Sequence, residues 1–353
     1  MTPKESGDMI GQHKAGPPVI GWEITSQCNL TCPHCFSAAA KRPHDEMGTE
    51  ECKRVIEAMA RIGVGMIGWT GGEPLLRQDL EELIAYAKQL GIRSSITTNG
   101  VLLDEKRAVS LKQAGNRVLQ ISLDGSTPEI NNRMRRASDE EYAKIIEAIR
   151  ICHRLGIRLF LATLIGQENL DDAPEMVKLA RREGLDTIRF CGYTPVGRGK
   201  RKDVKERLDF DRRLSDLLAF IENSQKDNTI MSMYDPGFGP TPPGFSFHKC
   251  VAGKETFYLK GNGDVYPCTS LLHRNFVFDN IRRRPLEEIW NDPGIEKMAD
   301  FPREEIHGPC RECDNFTNCH GACRGAAFAH TGDVRASFPV CLYRVAREAA
   351  ARK

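Results

Sequence analysis

Short apolar runs alternate with amphipathic ones from residue 19 to 192, and this alternation constrains the fold of the 353-residue chain most. Strand-length apolar runs are VIGWEIT (19–25), VGMIGWT (64–70), IRSSITT (92–98), RVLQISL (117–123), RLFLATLI (158–165) and DTIRFCGY (186–193). Helical segments lie between them near 49–62, 78–90, 104–114, 139–155 and 171–183. In the 139–155 segment Tyr142, Ile145, Ile146, Ile149 and Cys152 fall on one face. Such βα units build a parallel sheet, either open and doubly wound or part of a barrel, and periodicity does not separate the two.

The pattern changes after Tyr193. RGKRKDVKER (198–207) is basic and reads as a solvated loop, with a helix expected at 208–223. DPGFGPTPPGF (235–245) is rich in proline and glycine and reads as a linker. Beyond it, YLKGNGDVY (258–266) has the form of a hairpin around Gly261-Asn262-Gly263. The expected organisation is an N-terminal extension (1–18), an α/β core with its following helix (19–234), the linker (235–245) and a small Cys-rich domain (246–353).

Fifty Lys and Arg against forty-eight Asp and Glu leave the chain near neutral, which gives no support to a nucleic-acid surface or a polybasic membrane anchor. No apolar run approaches the roughly 18–20 residues of a membrane helix. MTPKESGDMI lacks the apolar stretch of a signal peptide, so the expected location is cytoplasmic. In a reducing compartment thirteen cysteines, an odd number, argue against a disulfide framework. Three cluster near residue 30 and seven between 250 and 341, which argues for metal. Cys52 and Cys152 sit on apolar helical faces and read as buried thiols. Cys191 ends the last strand, where barrels and open sheets place their sites.

Cys28-Asn-Leu-Thr-Cys32-Pro-His-Cys35 follows the first strand directly. Three thiolates are one fewer than a closed structural site needs, so this centre keeps an open position. Zinc would need a fourth ligand such as His34, which is squeezed between two cysteines. This C-x3-C-x2-C segment, followed by Phe36, resembles the radical S-adenosylmethionine (radical SAM) enzymes. The resemblance implies a [4Fe–4S] cluster on Cys28, Cys32 and Cys35, with SAM chelated to the fourth iron. It implies reductive cleavage of SAM to methionine and a 5′-deoxyadenosyl radical that abstracts hydrogen from carbon.

Later motifs agree with that family in order. Thr70-Gly71-Gly72-Glu73-Pro74 ends the second strand, with glycines that let backbone approach the ligand and a Glu73 carboxylate that accepts from its ammonium. Thr97-Thr98-Asn99-Gly100 ends the third strand and Ser122-Leu123-Asp124-Gly125 the fourth. The resemblance implies SAM contacts from Gly71, Gly72, Glu73, Pro74, Thr98, Asn99, Ser122, Asp124 and an arginine, Arg135 or Arg136. It also selects the fold, a partial (β/α)6 TIM-like barrel.

Cys310-x2-Cys313-x5-Cys319-x3-Cys323, with Cys250, Gly263 and Cys268 before it and Cys341 after it, resembles the SPASM extension of radical SAM proteins. The resemblance implies two auxiliary [4Fe–4S] clusters, up to three in all. Cys250, Cys268 and Cys323 are expected on auxiliary I, and Cys310, Cys313, Cys319 and Cys341 on auxiliary II. Many relatives have a further cysteine between the first two of these, but 251–267 holds none. The fourth site of auxiliary I is therefore open, or filled by substrate, His248 or Cys191. A zinc-stabilised domain fits less well, because seven cysteines do not divide into four-cysteine sites. Taken together, the resemblance spans about 19–345 and implies an oxidoreductase acting on a ribosomal peptide or peptide-derived cofactor precursor, delivered by a separate carrier protein. Tetrapyrrole side-chain modification in heme or heme d1 biosynthesis is the alternative. A non-catalytic iron–sulfur scaffold is the rival of another class. A flavodoxin- or ferredoxin-type electron donor is implied in either enzymatic case.

Overall fold

Strand β1 (Ile20–Thr25) places Ile20, Trp22 and Ile24 on one face, all fully buried. Burying each contributes about 1.5–3 kcal/mol. A register slip of one residue would turn all three toward the other face, so the pattern fixes the register. Trp22 lies opposite Trp69 of β2 (Met66–Gly71), and the two rings stack at 5.4 Å. β3 (Arg93–Thr98), β4 (Val118–Ser122), β5 (Arg158–Ile165) and β6 (Thr187–Gly192) continue the parallel sheet. A further strand, β7 (Met231–Tyr234), pairs parallel with β6. The structure, a computed structural model, describes residues 15–41, 43–210, 212–224, 226, 231–234, 238 and 250–352.

Helices α1 (Thr49–Arg61), α2 (Leu80–Gln89), α3 (Glu105–Ala114), α4 (Pro128–Arg135), α5 (Asp139–Arg154) and α6 (Ala173–Arg182) connect the strands. The best defined start is that of α5. Ser138 and Glu141 form a reciprocal capping box there, and Ile145, Ala148, Ile149 and Cys152 bury its inner face. Two helices after β6 are α7 (Lys202–Leu208) and α8 (Leu214–Ser224).

One sequence expectation is corrected. The basic stretch 198–207 is a 3-10 turn over Gly197–Lys200 followed by α7, with Val204 and Leu208 buried. The short helix α4 and the four-residue strand β7 were not expected, because neither carries enough apolar residues to show a period. The linker 235–245, apart from Phe238, and residues 1–14 of the N-terminal extension lie outside the described residues.

The hairpin is present as β8 (Tyr258–Leu259) and β9 (Asp264–Tyr266), followed by β10 (Asp279–Asn280). β8 pairs in parallel with β1, so one sheet crosses from the barrel into the Cys-rich region. Its order is β10-β9-β8-β1-β2-β3-β4-β5-β6-β7. Because β8, not β7, lies beside β1, the barrel is partial. The small Cys-rich region follows it as irregular chain and short helices, among them Arg324–Thr331 and Leu342–Ala351. No described helix is long and apolar enough to cross a membrane.

Candidate active site

The C-terminal ends of β1 to β6 carry the site. β1 runs into the Cys28–Cys35 loop, which is anchored at both ends: Cys28 N–H donates to Ala40 O at 3.2 Å, and Ala40 N–H to Ser26 O at 3.0 Å. Inside the loop Cys35 N–H donates to Cys32 O at 3.3 Å. Charge on Cys35 acts on both Cys28 and Cys32, and charge on Cys28 acts on Cys32. Burial pushes the Cys32 thiol up to about 11, Arg135 opposes this, and neighbouring Cys35 adds to the rise. A bare set of mutually repelling thiolates is unfavourable here, whereas a cationic iron core relieves that repulsion, so the donor set fits an iron–sulfur centre.

The two glycines at the end of β2 pack closely on the chain before the cysteine loop. A Cβ on Gly71 would lie 2.2 Å from Thr25 O, and one on Gly72 would lie 2.1 Å from Gln27 O and 3.0 Å from Cys28 Cβ. Gly72 and Glu73 then donate their N–H groups to Thr25 O and Gln27 O at 2.8 and 2.7 Å. The glycines therefore let the end of β2 press against the chain that presents Cys28.

Glu73 is fully buried. Its carboxylate accepts from Thr98 Oγ1 and Asn99 N–H, both at 2.7 Å, and from Leu75 N–H at 3.1 Å. Burial raises its pKa and these donors counter the rise. Glu73 thus ties β2 to β3. Asn99 Nδ2 donates to Asn29 Oδ1 at 2.8 Å, which ties β3 to the cysteine loop. Pro74 is buried in the turn behind Glu73, and Ser122 is half-buried at the end of β4.

Asp124 is fully buried and gathers three groups. Arg135 Nε lies 2.9 Å from its Oδ2, His34 Nε2 lies 3.2 Å away, and Leu164 N–H donates to Oδ1 at 2.8 Å. Burial works against its charge, but Arg135 and His34 outweigh this and hold the carboxyl below its usual range. Arg135 also reaches Cys32 Sγ at 4.0 Å. Arg136 is exposed in the left-handed position that ends α4, so Arg135 is the arginine that faces the cysteine loop. His34 lies beside Asp124, the position that a fourth zinc ligand would have to leave.

Arg198, which the sequence placed in a solvated loop, grips the cysteine loop. Its N–H donates to Cys35 O at 3.0 Å, its Nε to Cys32 O at 2.9 Å and its Nη1 to Ala39 O at 2.5 Å. Gly197 has φ +56°, and a Cβ there would meet Phe36 O at 2.2 Å, so the turn packs directly on the loop. A V-G-R-G stretch just past a barrel strand was the available signal.

The other cysteines fall into two groups. Burial raises the pKa of Cys268, and the charges of Cys323 and Cys250 raise it further. Cys310, Cys313, Cys319 and Cys341 line one small cavity together with Phe338, Tyr343 and Arg344. Burial raises Cys319, and Cys310 and Cys313 add to it. Cys191 lies at the end of β6 opposite Leu164, and His248 lies outside the described residues. Cys52 and Cys152 are fully buried in the apolar core.

The Radical SAM superfamily model matches residues 22–180, and the SPASM model, an iron–sulfur cluster-binding domain, matches 250–314. An Fe-coproporphyrin III synthase of Methanosarcina barkeri is 31% identical over 92% of this chain and 87% of its own. A mycofactocin maturase of Mycolicibacterium smegmatis is 29% identical over 88% of this chain and 79% of its own. The fold is similar to that of SuiB from Streptococcus suis bound to S-adenosylmethionine, with TM-score 0.72 and 18% identity over 93% of this chain and 77% of that one. The cysteine loop on a partial barrel, the two matched models and a relative at 31% identity lead to one conclusion: this chain belongs to the radical SAM/SPASM family, as an oxidoreductase that generates a 5′-deoxyadenosyl radical from SAM.

Proposed function

We propose that this enzyme abstracts hydrogen from a side chain of a carboxylate-bearing tetrapyrrole. On this reading Cys28, Cys32 and Cys35 hold the [4Fe–4S] centre that binds SAM. Gly71, Gly72, Glu73, Pro74, Thr98, Asn99, Ser122, Asp124 and Arg135 surround the SAM. When bound and reduced by an external flavodoxin- or ferredoxin-type donor, the centre supplies the electron that cleaves the SAM sulfonium. Arg135 stands over Cys32, with Asp124 holding its guanidinium in place. Cys250, Cys268 and Cys323 hold auxiliary I, and Cys310, Cys313, Cys319 and Cys341 hold auxiliary II.

The substrate class rests on one relationship above others. The Fe-coproporphyrin III synthase of M. barkeri is 31% identical and aligns along 92% of this chain. The barrel interior is compatible with it. Ile188 and Phe190 turn toward the helices, so Arg189 faces the other way, in the same register row as Ala162 and Ser122. A guanidinium on the inner face suits a propionate or acetate carboxylate. The maturase relationship keeps a peptide substrate, brought by a carrier protein, as the second reading. The test is anaerobic incubation of the reconstituted enzyme with dithionite, SAM and iron tetrapyrroles bearing acetate and propionate side chains. A SAM-dependent mass change in the tetrapyrrole supports the first reading. Cleavage of SAM with every tetrapyrrole returned intact overturns it.

A further inference from the structure

Arg324 is the residue after Cys323 and the first of the helix Arg324–Thr331. Only 1% of it is exposed. A charged side chain is rarely this buried unless something of opposite sign compensates it. Its guanidinium donates to Ala336 O at 2.9 Å, to Val334 O at 3.3 Å and to Gly321 O. Carbonyl oxygens orient it but do not neutralise it. Its Nε is buried without a hydrogen-bond partner.

Cysteines of both groups act on this charge. Burial works against the charge of Arg324 most strongly. The groups that support it are, in order, Cys310, Cys323, Cys250 and Cys319. Cys323 and Cys250 belong to one cysteine group, and Cys310 and Cys319 to the other. The three carbonyl contacts fix the cation on chain segments that also carry these cysteines. Gly321 lies in the segment from Cys319 to Cys323, and Val334 and Ala336 lie on the run leading to Cys341. The guanidinium is thus held by the same chain segments that carry both sets of thiols.

We propose that Arg324 is the shared counter-charge of the two auxiliary iron–sulfur centres and sets both of their reduction potentials together. It rests on the reading of Cys250, Cys268 and Cys323, and of Cys310, Cys313, Cys319 and Cys341, as ligands of two such centres. Each centre becomes one unit more negative when it accepts an electron. A fixed cation at short range favours that state, and low-dielectric surroundings strengthen the effect. One cation acting on both centres moves their potentials in the same direction, which keeps electron exchange between them balanced. Arg324 is a positioning residue in this account, since it acts through the clusters and does not touch substrate.

The experiment is a redox titration of the full-length reconstituted protein, followed by electron paramagnetic resonance. The parent comes first: iron content and signals for two auxiliary centres test the ligand reading by themselves. Their absence ends that reading before Arg324 is changed. With both present, Arg324→Met is expected to lower the midpoint potentials of both auxiliary centres and leave the Cys28–Cys35 centre unchanged. Arg324→Lys, which keeps the charge, is expected to return both toward the parent. Where Arg324→Met does not retain its iron, Arg324→Gln, which keeps a donor for the carbonyls, replaces it. Unchanged potentials in a neutral variant with full iron overturn the proposal. So does movement of one auxiliary centre alone, or a Lys variant shifted as far as the neutral one.

Discussion

Glu73 ties the ends of β2 and β3 together from a fully buried position. Three donors converge on it, from Thr98, Asn99 and Leu75. Glu73→Ala leaves those donors unmet in the interior. Each unmet buried donor costs about 1–3 kcal/mol, so the variant is expected to lose at least about 2 kcal/mol of unfolding free energy. SAM affinity falls with it, because the ends of β2 and β3 are no longer tied. Urea unfolding and calorimetric SAM titration check both, and unchanged stability contradicts the role. Asp124 carries a second residue-scale prediction. Replacing it by Asn leaves Arg135 without its charge partner, and breaking a buried pair on one side costs about 3–5 kcal/mol. The same unfolding experiment checks it, and a loss below about 1 kcal/mol would reject the pair as a structural tie.

Two turns position the cysteine loop at the scale of elements. The glycine turn after β2 supports Cys28 from one side, and the Gly197–Lys200 turn after β6 grips Cys32, Cys35 and Ala39 from the other. Arg198→Ala removes two side-chain hydrogen bonds from the grip and leaves all ten clustered cysteines in place. The expected result is that iron amounting to about one four-iron centre leaves faster to a chelator, by roughly tenfold, while the rest leaves at the parent rate. Uniform acceleration of all the iron would instead indicate general destabilisation, and no acceleration would remove the grip. This part of the site was hidden in the sequence for a physical reason. Arg198 acts on backbone carbonyls more than 150 residues away, and carbonyls carry no residue identity. The cysteine triad, in contrast, was legible because its three thiols sit within one eight-residue loop. Helix α4 and strand β7 escaped because periodicity needs length.

The single sheet is the feature that matters most for the whole molecule. Alternating apolar and amphipathic segments were enough to find β1 to β6, and turn residues the β8–β9 hairpin, but not that β8 would pair with β1, since two residues do not specify a distant partner strand. The expected consequence is an uneven dependence of the Cys-rich region on metal. Its hairpin is held by the barrel, whereas the chain around Cys310–Cys341 surrounds a buried arginine and two groups of thiols. Removing iron should therefore expose 300–350 to protease and spare 258–266. Mass spectrometry of limited digests distinguishes this from uniform resistance, which would contradict it.

The central claim is that the Cys28–Cys35 loop, and not the C-terminal cysteines, carries SAM cleavage. The most direct measurement is 5′-deoxyadenosine formation under dithionite, in the parent and in the Cys28→Ala, Cys32→Ala, Cys35→Ala triple variant, with iron counted in both. The account predicts formation in the parent and none in the variant, while about eight irons remain from two four-iron auxiliary centres. Persistent formation of 5′-deoxyadenosine by the triple variant would contradict it.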